Sequence, residues 1–225
     1  MGNKKIFKFV ASIVLIAIMA TAIHLIMSKK SYEVSFVSED DTVIKVDEVQ
    51  RNDSADPPVT PQMPYVKIFS HCDTDFSKVK DNLIIKAVTE DTIGKANVFA
   101  MSGAYGKKDN EVVVPLKLTG EVLLSGFDIL IKYNADGLEL ASVFNEDGGI
   151  VCNSEKPGEI RINYVSSQNT IGEVDICSFK LIIKSDEQKS IPLEITADKV
   201  CAVKDDETIY DTEYSIINAN VYVIG

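Results

Sequence analysis

The sequence predicts an all-β fold, a jelly-roll β-sandwich of about nine strands preceded by an N-terminal transmembrane helix and an acidic, Pro-rich linker. Three observations carry that prediction. From Asn97 onward, short apolar runs alternate with polar residues at period two and are broken by Gly, Asn, Asp and Pro at intervals of about ten residues. Helical periodicity is absent from the same stretch. At the other end of the chain, a continuous apolar run is followed by a segment with too many Pro and acidic residues to bury much of itself.

Lys4, Lys5 and Lys8 precede the apolar run from Phe9 to Met27, and Lys29 and Lys30 close it. As a helix its 19 residues extend roughly 28 Å, close to the thickness of the bilayer hydrocarbon. Ser12, Thr21 and His24 interrupt it, and a helix tolerates each by back-bonding or by placement near the interface. Residues 1–30 therefore read as a cytoplasmic tip and signal-anchor, with the C-terminal part of a single-pass cell-membrane protein lying outside the cytoplasm. The alternative is secretion after cleavage near Ala22, because Ala20-Thr21-Ala22 fits the small-x-small pattern of a signal peptide. The apolar continuation through Ile23, Leu25 and Ile26 favours the anchor, and both readings export the remainder.

Residues 31–64 read as an extracytoplasmic linker. Glu39-Asp40-Asp41, the stretch from Asn52 to Pro58, Pro61 and Pro64 offer little to bury, and the short alternating pieces Tyr32 to Val37 and Thr42 to Val49 lack partners for a stable sheet of their own. Residues 65–96 form an extension whose apolar clusters, Val66-Ile68-Phe69 and Leu83-Ile84-Ile85, suit either strands or a short helix. Within it His71, Cys72, Asp73 and Asp75 mimic a metal cluster. Adjacent residues of an extended chain point to opposite faces and no second histidine is near, so this reads as a loop, and no metal is expected.

Residues 97–225 carry the sandwich. In Gly126 to Tyr133, Phe127, Ile129, Ile131 and Tyr133 share one face while Asp128, Leu130 and Lys132 share the other. Glu159 to Tyr164 alternates in the same way, with Ile160, Ile162 and Tyr164 against Glu159, Arg161 and Asn163. Cys177, Phe179, Leu181 and Ile183 form a third apolar face. Further strands are expected over Val112 to Leu118, Leu138 to Val143, Ile150 to Cys152, Ile191 to Val203 and Ile216 to Ile224. Two antiparallel sheets around an apolar interlayer follow.

Composition narrows the function. A formal net charge of −11 repels phosphate backbones, which argues against a nucleic-acid partner. Cys72, Cys152, Cys177 and Cys201 are far apart in sequence with no CxxC, so zinc is not expected and no disulfide pairing can be assigned from spacing. The chain carries no GxSxG, HExxH, P-loop or dinucleotide fingerprint, and its only histidines are His24 and His71, so the prediction is a binding module without cofactor and not an enzyme.

The order of segments resembles a cohesin domain, the module of cellulosome scaffolds that captures dockerin modules. The pieces that carry the resemblance are Val114-Pro115-Leu116-Lys117-Leu118, Gly126 through Asn134 running into Leu138-Glu139-Leu140, Pro157-Gly158 through Tyr164, Phe179-Lys180-Leu181 and Asn218-Ala219-Asn220-Val221. It spans about Val98 to Ile224, with a short loop at Asn145 to Gly149 and a reduced glycine-rich segment at Ser166 to Gly172. The resemblance implies a jelly roll that binds a dockerin-like module, calcium-loaded on the partner's side, through one flat sheet face, with Asp128 where cohesins place an acidic contact. Leu130, Lys132, Arg161 and Asn163 are the remaining candidate partner-binding residues. Two other function classes stand beside it: a carbohydrate-binding sandwich that takes polysaccharide on an aromatic strip, for which the absence of Trp leaves only tyrosines, and a structural subunit of an envelope complex.

Overall fold

A computed structural model describes residues 30–59, 67–92, 97–120, 123–144, 149–204 and 207–224, so the apolar run 9–27, the cleavage pattern at Ala22 and His24 lie outside the described residues. Among the described residues every regular element is a strand, and no helix is long and apolar enough to cross a membrane.

The sandwich runs from β5 to β16. Its first sheet has the order β10-β11-β8-β13-β16-β6, built from β10 (Ile150–Asn153), β11 (Glu159–Val165), β8 (Gly126–Tyr133), β13 (Ser190–Val203), β16 (Ala219–Val223) and β6 (Ala104–Gly106), with β14 (Ile209–Asp211) paired to β13. The second has the order β15-β5-β7-β12-β9, from β15 (Tyr214–Ile217), β5 (Asn97–Met101), β7 (Glu111–Thr119), β12 (Val174–Ile183) and β9 (Leu138–Phe144). Period-two alternation dictates the interlayer: Phe127, Ile129 and Ile131 of β8 are at most 3% exposed and face Leu116, Leu118, Phe179 and Leu181 of the second sheet, all at most 1% exposed. Phe99 and Phe127 meet edge to face, with ring centroids 5.2 Å apart.

Among the described residues the domain holds twelve strands, β5 to β16, where about nine are expected, because both of its ends change sheets and the short β14 adds to an edge. The chain leaves β5 of the second sheet and enters β6 of the first, and it leaves β15 of the second and enters β16 of the first. The two crossing segments run side by side: β15 is parallel to β5, and β16 is parallel to β6. At the second crossing Asn218 Oδ1 accepts a hydrogen bond of 2.8 Å from the amide of Ile195, so the side chain satisfies a backbone donor where the ladder breaks. The stretch Ile216 to Ile224, expected as one strand, is thus a strand, a crossing and a second strand.

Residues 31–64, expected as a linker, differ more. Ser31–Val37 is β1 and Val43–Gln50 is β2, and with β3 (Lys67–Cys72) and β4 (Leu83–Asp91) they form a four-stranded sheet of order β2-β1-β4-β3. The partner that composition does not reveal is β4, which pairs with β1 in parallel through Val34↔Leu83 and Phe36↔Ile85. Tyr32, Val34 and Phe36 then bury against Phe76, Val79 and Ile224, with Phe36 and Phe76 edge to face at 5.3 Å. The acidic residues become the turn and its ion pairs: Lys67 with Glu39, and Lys86 with Asp41 at 2.9 Å.

β3 fixes this sheet to the sandwich. Ile68 of β3 is buried with Val98, Ala100 and Ile217, the Tyr105 hydroxyl accepts from the Cys72 amide at 2.8 Å, and the Gly103 amide donates to the Phe69 carbonyl at 2.9 Å. Gly103, in the first crossing, has no room for a side chain, because a Cβ would come within 2.1 Å of the Ser70 carbonyl oxygen. Gly103→Ala is therefore expected to lower stability by about 1–3 kcal/mol, as overpacking against backbone does. Urea denaturation checks the loss, and hydrogen exchange is expected to locate it in residues 67–91 and the crossing.

Candidate protein-docking face

The five candidate residues lie together on the outer face of the first sheet. Antiparallel pairing of β8 with β11 sets Asp128 opposite Asn163, Leu130 opposite Arg161, and Lys132 opposite Glu159. Because inward Ile129 and Ile131 alternate with them, Asp128, Leu130 and Lys132 all point outward, and Ile160 and Ile162 send Arg161 and Asn163 the same way. Register on β11 is set at its start by the turn Pro157-Gly158. Gly158 has φ +83°, and a Cβ there would sit 2.9 Å from the Tyr133 carbonyl oxygen, which accepts nothing bulkier at that approach.

Arg161 organises the charge. Its Nη2 donates to Asp128 Oδ2 at 2.6 Å and to Asp198 Oδ2 at 2.6 Å, so one guanidinium holds two carboxylates, one from the neighbouring β8 and one from β13 beyond it. The hydrogen bond it donates to Asp128, then that to Asp198, raises the Arg161 pKa, which keeps the cation fixed. Asp128 Oδ1 is covered and has no hydrogen-bond partner among the described residues, so the clamp satisfies only one of its oxygens. At the far end of the face Lys156 pairs with Glu159 at 2.6 Å.

Asp198 is a member of this face that sequence reading missed. It sits at a bulge in β13: Ala197 pairs with Ile129, the next partnered residue is Lys199 opposite Asp128, and Asp198 is left over. The signal is present in the sequence as a break in alternation. Ile195 and Val200 face the core, yet two consecutive charged residues, Asp198 and Lys199, stand between them where a regular strand has room for one exposed residue on that side of Ala197.

Beside the charged cluster lies an apolar hollow of about 300 Å³, edged by Val151, Val165, Cys201, Asp128 and Lys199. Gly126 leaves it open by contributing no side chain. Val151 is 65% exposed and Val165 85% exposed, which is unusual for valines on a strand whose opposite face is core. The face thus combines rigid backbone, an unfilled apolar recess and a clamp of opposite charges, the ingredients for seating another protein.

Elsewhere, His71 and Cys72 end β3, His71 Nδ1 contacts Ser70 Oγ at 3.1 Å, and Asp73 Oδ1 caps the Lys86 amide at 2.8 Å. Among the described residues no group of three or more His, Cys, Asp and Glu side chains could hold a metal. Tyr133 and Tyr164 pack against the core as the alternation requires, and Phe127 and Tyr164 stack at 5.6 Å. The stacked tyrosines of the surface are instead Tyr105 and Tyr222, at 4.6 Å and 18°.

No protein-family model matches the chain, and no curated protein matches it. Solved structures do. The seventh ScaB type I cohesin from Pseudobacteroides cellulosolvens superposes with a TM-score of 0.51 at 18% identity, covering 57% of this chain and 92% of that one. A non-cellulosomal cohesin from the hyperthermophilic archaeon Archaeoglobus fulgidus gives 0.48 at 13% identity, covering 58% and 92%. The sixth cohesin of scaffoldin B from Acetivibrio cellulolyticus, solved in complex with a mutant Cel5 dockerin, gives 0.47 at 20% identity, covering 57% and 99%. The superposition on the Pseudobacteroides cellulosolvens cohesin shows that the sandwich has the cohesin fold, as its segment order predicts.

The alternation that creates the face can be tested directly. Ile131→Ala, which empties a site that is 0% exposed, is expected to cost about 2–5 kcal/mol. Its neighbour Lys132→Ala is expected to leave the urea midpoint unchanged. Equal losses at both positions would mean that the strand is not oriented as described.

Proposed function

We propose that the chain is a protein-docking module, cohesin-like in use as well as in fold, that takes a dockerin-like partner on the outer face of β10, β11, β8 and β13. The observation that carries the reading is the placement of Asp128, Leu130, Lys132, Arg161 and Asn163 on one plane beside the hollow at Gly126. A helix laid across this plane has an apolar recess to fill and an Arg–carboxylate pair to engage. The strands are already ordered, so little conformational freedom is lost on binding. Calcium in such a complex belongs to the partner, whose loops it would order. The apolar run 9–27 supports the further reading that the module works from the outer surface of the cell membrane.

One observation favours a second reading, carbohydrate binding. Tyr222, stacked on Tyr105, lines a groove of about 580 Å³ together with Asp75, Lys78, Asp186 and Lys189, a mixture of ring and polar groups that suits a sugar.

The full chain, titrated with a calcium-loaded dockerin module, separates the two. Asp128→Ala and Arg161→Ala are each expected to weaken binding about tenfold or more without moving the melting temperature, and chelation of calcium is expected to abolish it. Binding unaffected by both substitutions would reject this face. Co-sedimentation with cellulose that is lost in Tyr222→Ala, with no dockerin binding, would support the sugar reading instead.

A further inference from the structure

Cys152 and Cys177 come from different sheets and meet in the interlayer. Cys152 lies on the edge strand β10 opposite Ile162, and Cys177 lies on β12 opposite Leu116. Both of those partners are 0% exposed, so the pleat turns both cysteines toward the core, where Cys177 is buried and Cys152 packs against the same cluster. Both belong to one core cluster, and the two thiols are hydrogen-bond partners across the sandwich. Facing layers stand about 10 Å apart, so two cysteines touch across them only when their side chains point at each other, the arrangement a disulfide needs. The other two are elsewhere. The Cys72 amide is tied to Tyr105 beside the N-terminal sheet, and Cys201 faces outward at Gly126 with Ser125 Oγ 3.8 Å from its sulfur.

We propose that Cys152 and Cys177, which are free thiols here, are the site of a disulfide that staples the two sheets, formed by exchange with a small disulfide of the glutathione class. The Cys152 thiolate attacks one sulfur of the small disulfide and releases one small thiolate, which takes up a proton. Cys177 then loses its proton and attacks Cys152 Sγ, releasing the second small thiol. Two protein thiols are oxidised and one small disulfide is reduced to two thiols, with nothing left over.

The order of attack follows from position. Cys152 is half-buried on an edge strand, whereas Cys177 is 4% exposed, so the small molecule reaches Cys152 first. The hydrogen bond from Cys177 also lowers the Cys152 pKa, while the same bond and burial hold Cys177 protonated until the mixed disulfide has formed. The loop closed by the bond contains β11, with Arg161 and Asn163, so the staple pins the edge of the sheet that carries them.

The test is to incubate the reduced full chain with oxidised glutathione, alkylate it under denaturing conditions and map its peptides by mass. The expected product is one intramolecular bond between Cys152 and Cys177, with Cys72 and Cys201 alkylated and the melting midpoint raised by roughly 5–10 °C until dithiothreitol reverses it. Cys177→Ser is expected to trap glutathione on Cys152, and Cys152→Ser to leave Cys177 unmodified. Alkylation of both Cys152 and Cys177, a bond to Cys72 or Cys201, an unchanged midpoint or no trapped adduct in Cys177→Ser would each overturn the assignment.

Discussion

Burial of Phe127, Ile129 and Ile131 is the constraint on which the rest of the molecule depends. β8 is central in its sheet, flanked by β11 and β13, and its three apolar side chains close one wall of the interlayer. A strand has two faces and no third option, so once these residues are inside, Asp128, Leu130 and Lys132 must be outside and in line. A shift of register by one residue would put Asp128 and Lys132 into an apolar layer, where each charge would need a partner that the layer does not hold. The core thereby enforces the outer plane, and a surface with no packing role of its own is held as rigidly as the interior.

That coupling explains why so much of the face was legible before the fold was known. Alternation in Gly126 to Tyr133 and Glu159 to Tyr164 determines which residues point out. Proximity is a different matter. That Asp128 stands opposite Asn163 depends on pairing between strands more than thirty positions apart in the chain, and only the resemblance to a known segment order suggested it. Asp198 escaped because a bulge breaks the rule that reads faces from parity. At a bulge the polar doublet itself is the readable feature, and the residue left over is the one free to reach across to Arg161.

The N-terminal sheet was misread for a related reason. Tyr32, Val34 and Phe36 alternate as cleanly as anything in the sandwich, yet a strand is stable only with partners, and β1 finds its second partner in β4, two strands further along the chain and past the segments that hold the Pro and acidic residues. Composition averages over those segments and reports a linker. Ala55 from that segment and Phe76 and Val79 from the extension 65–96 are all at most 2% exposed, and they close the inner face of a sheet that would otherwise be open to water. Neither piece would be expected to survive alone. Cutting the chain at residue 65 would remove β1 and β2 and uncover Ile85, Phe76 and Ile224, which follows β16.

This changes what the segment can do for a tethered module. A flexible stalk gives reach and leaves orientation free, whereas a sheet that starts at Ser31 and is bonded to the sandwich through Phe69, Cys72 and Ile68 gives neither. The Lys30 carbonyl already accepts the Arg51 amide at 3.0 Å, so the folded body begins three residues after the apolar run ends at Met27. On the proposed membrane attachment, the N-terminal sheet stands between the apolar run and the sandwich, and the direction in which β10, β11, β8 and β13 face is fixed relative to Ser31 and not by a flexible stalk.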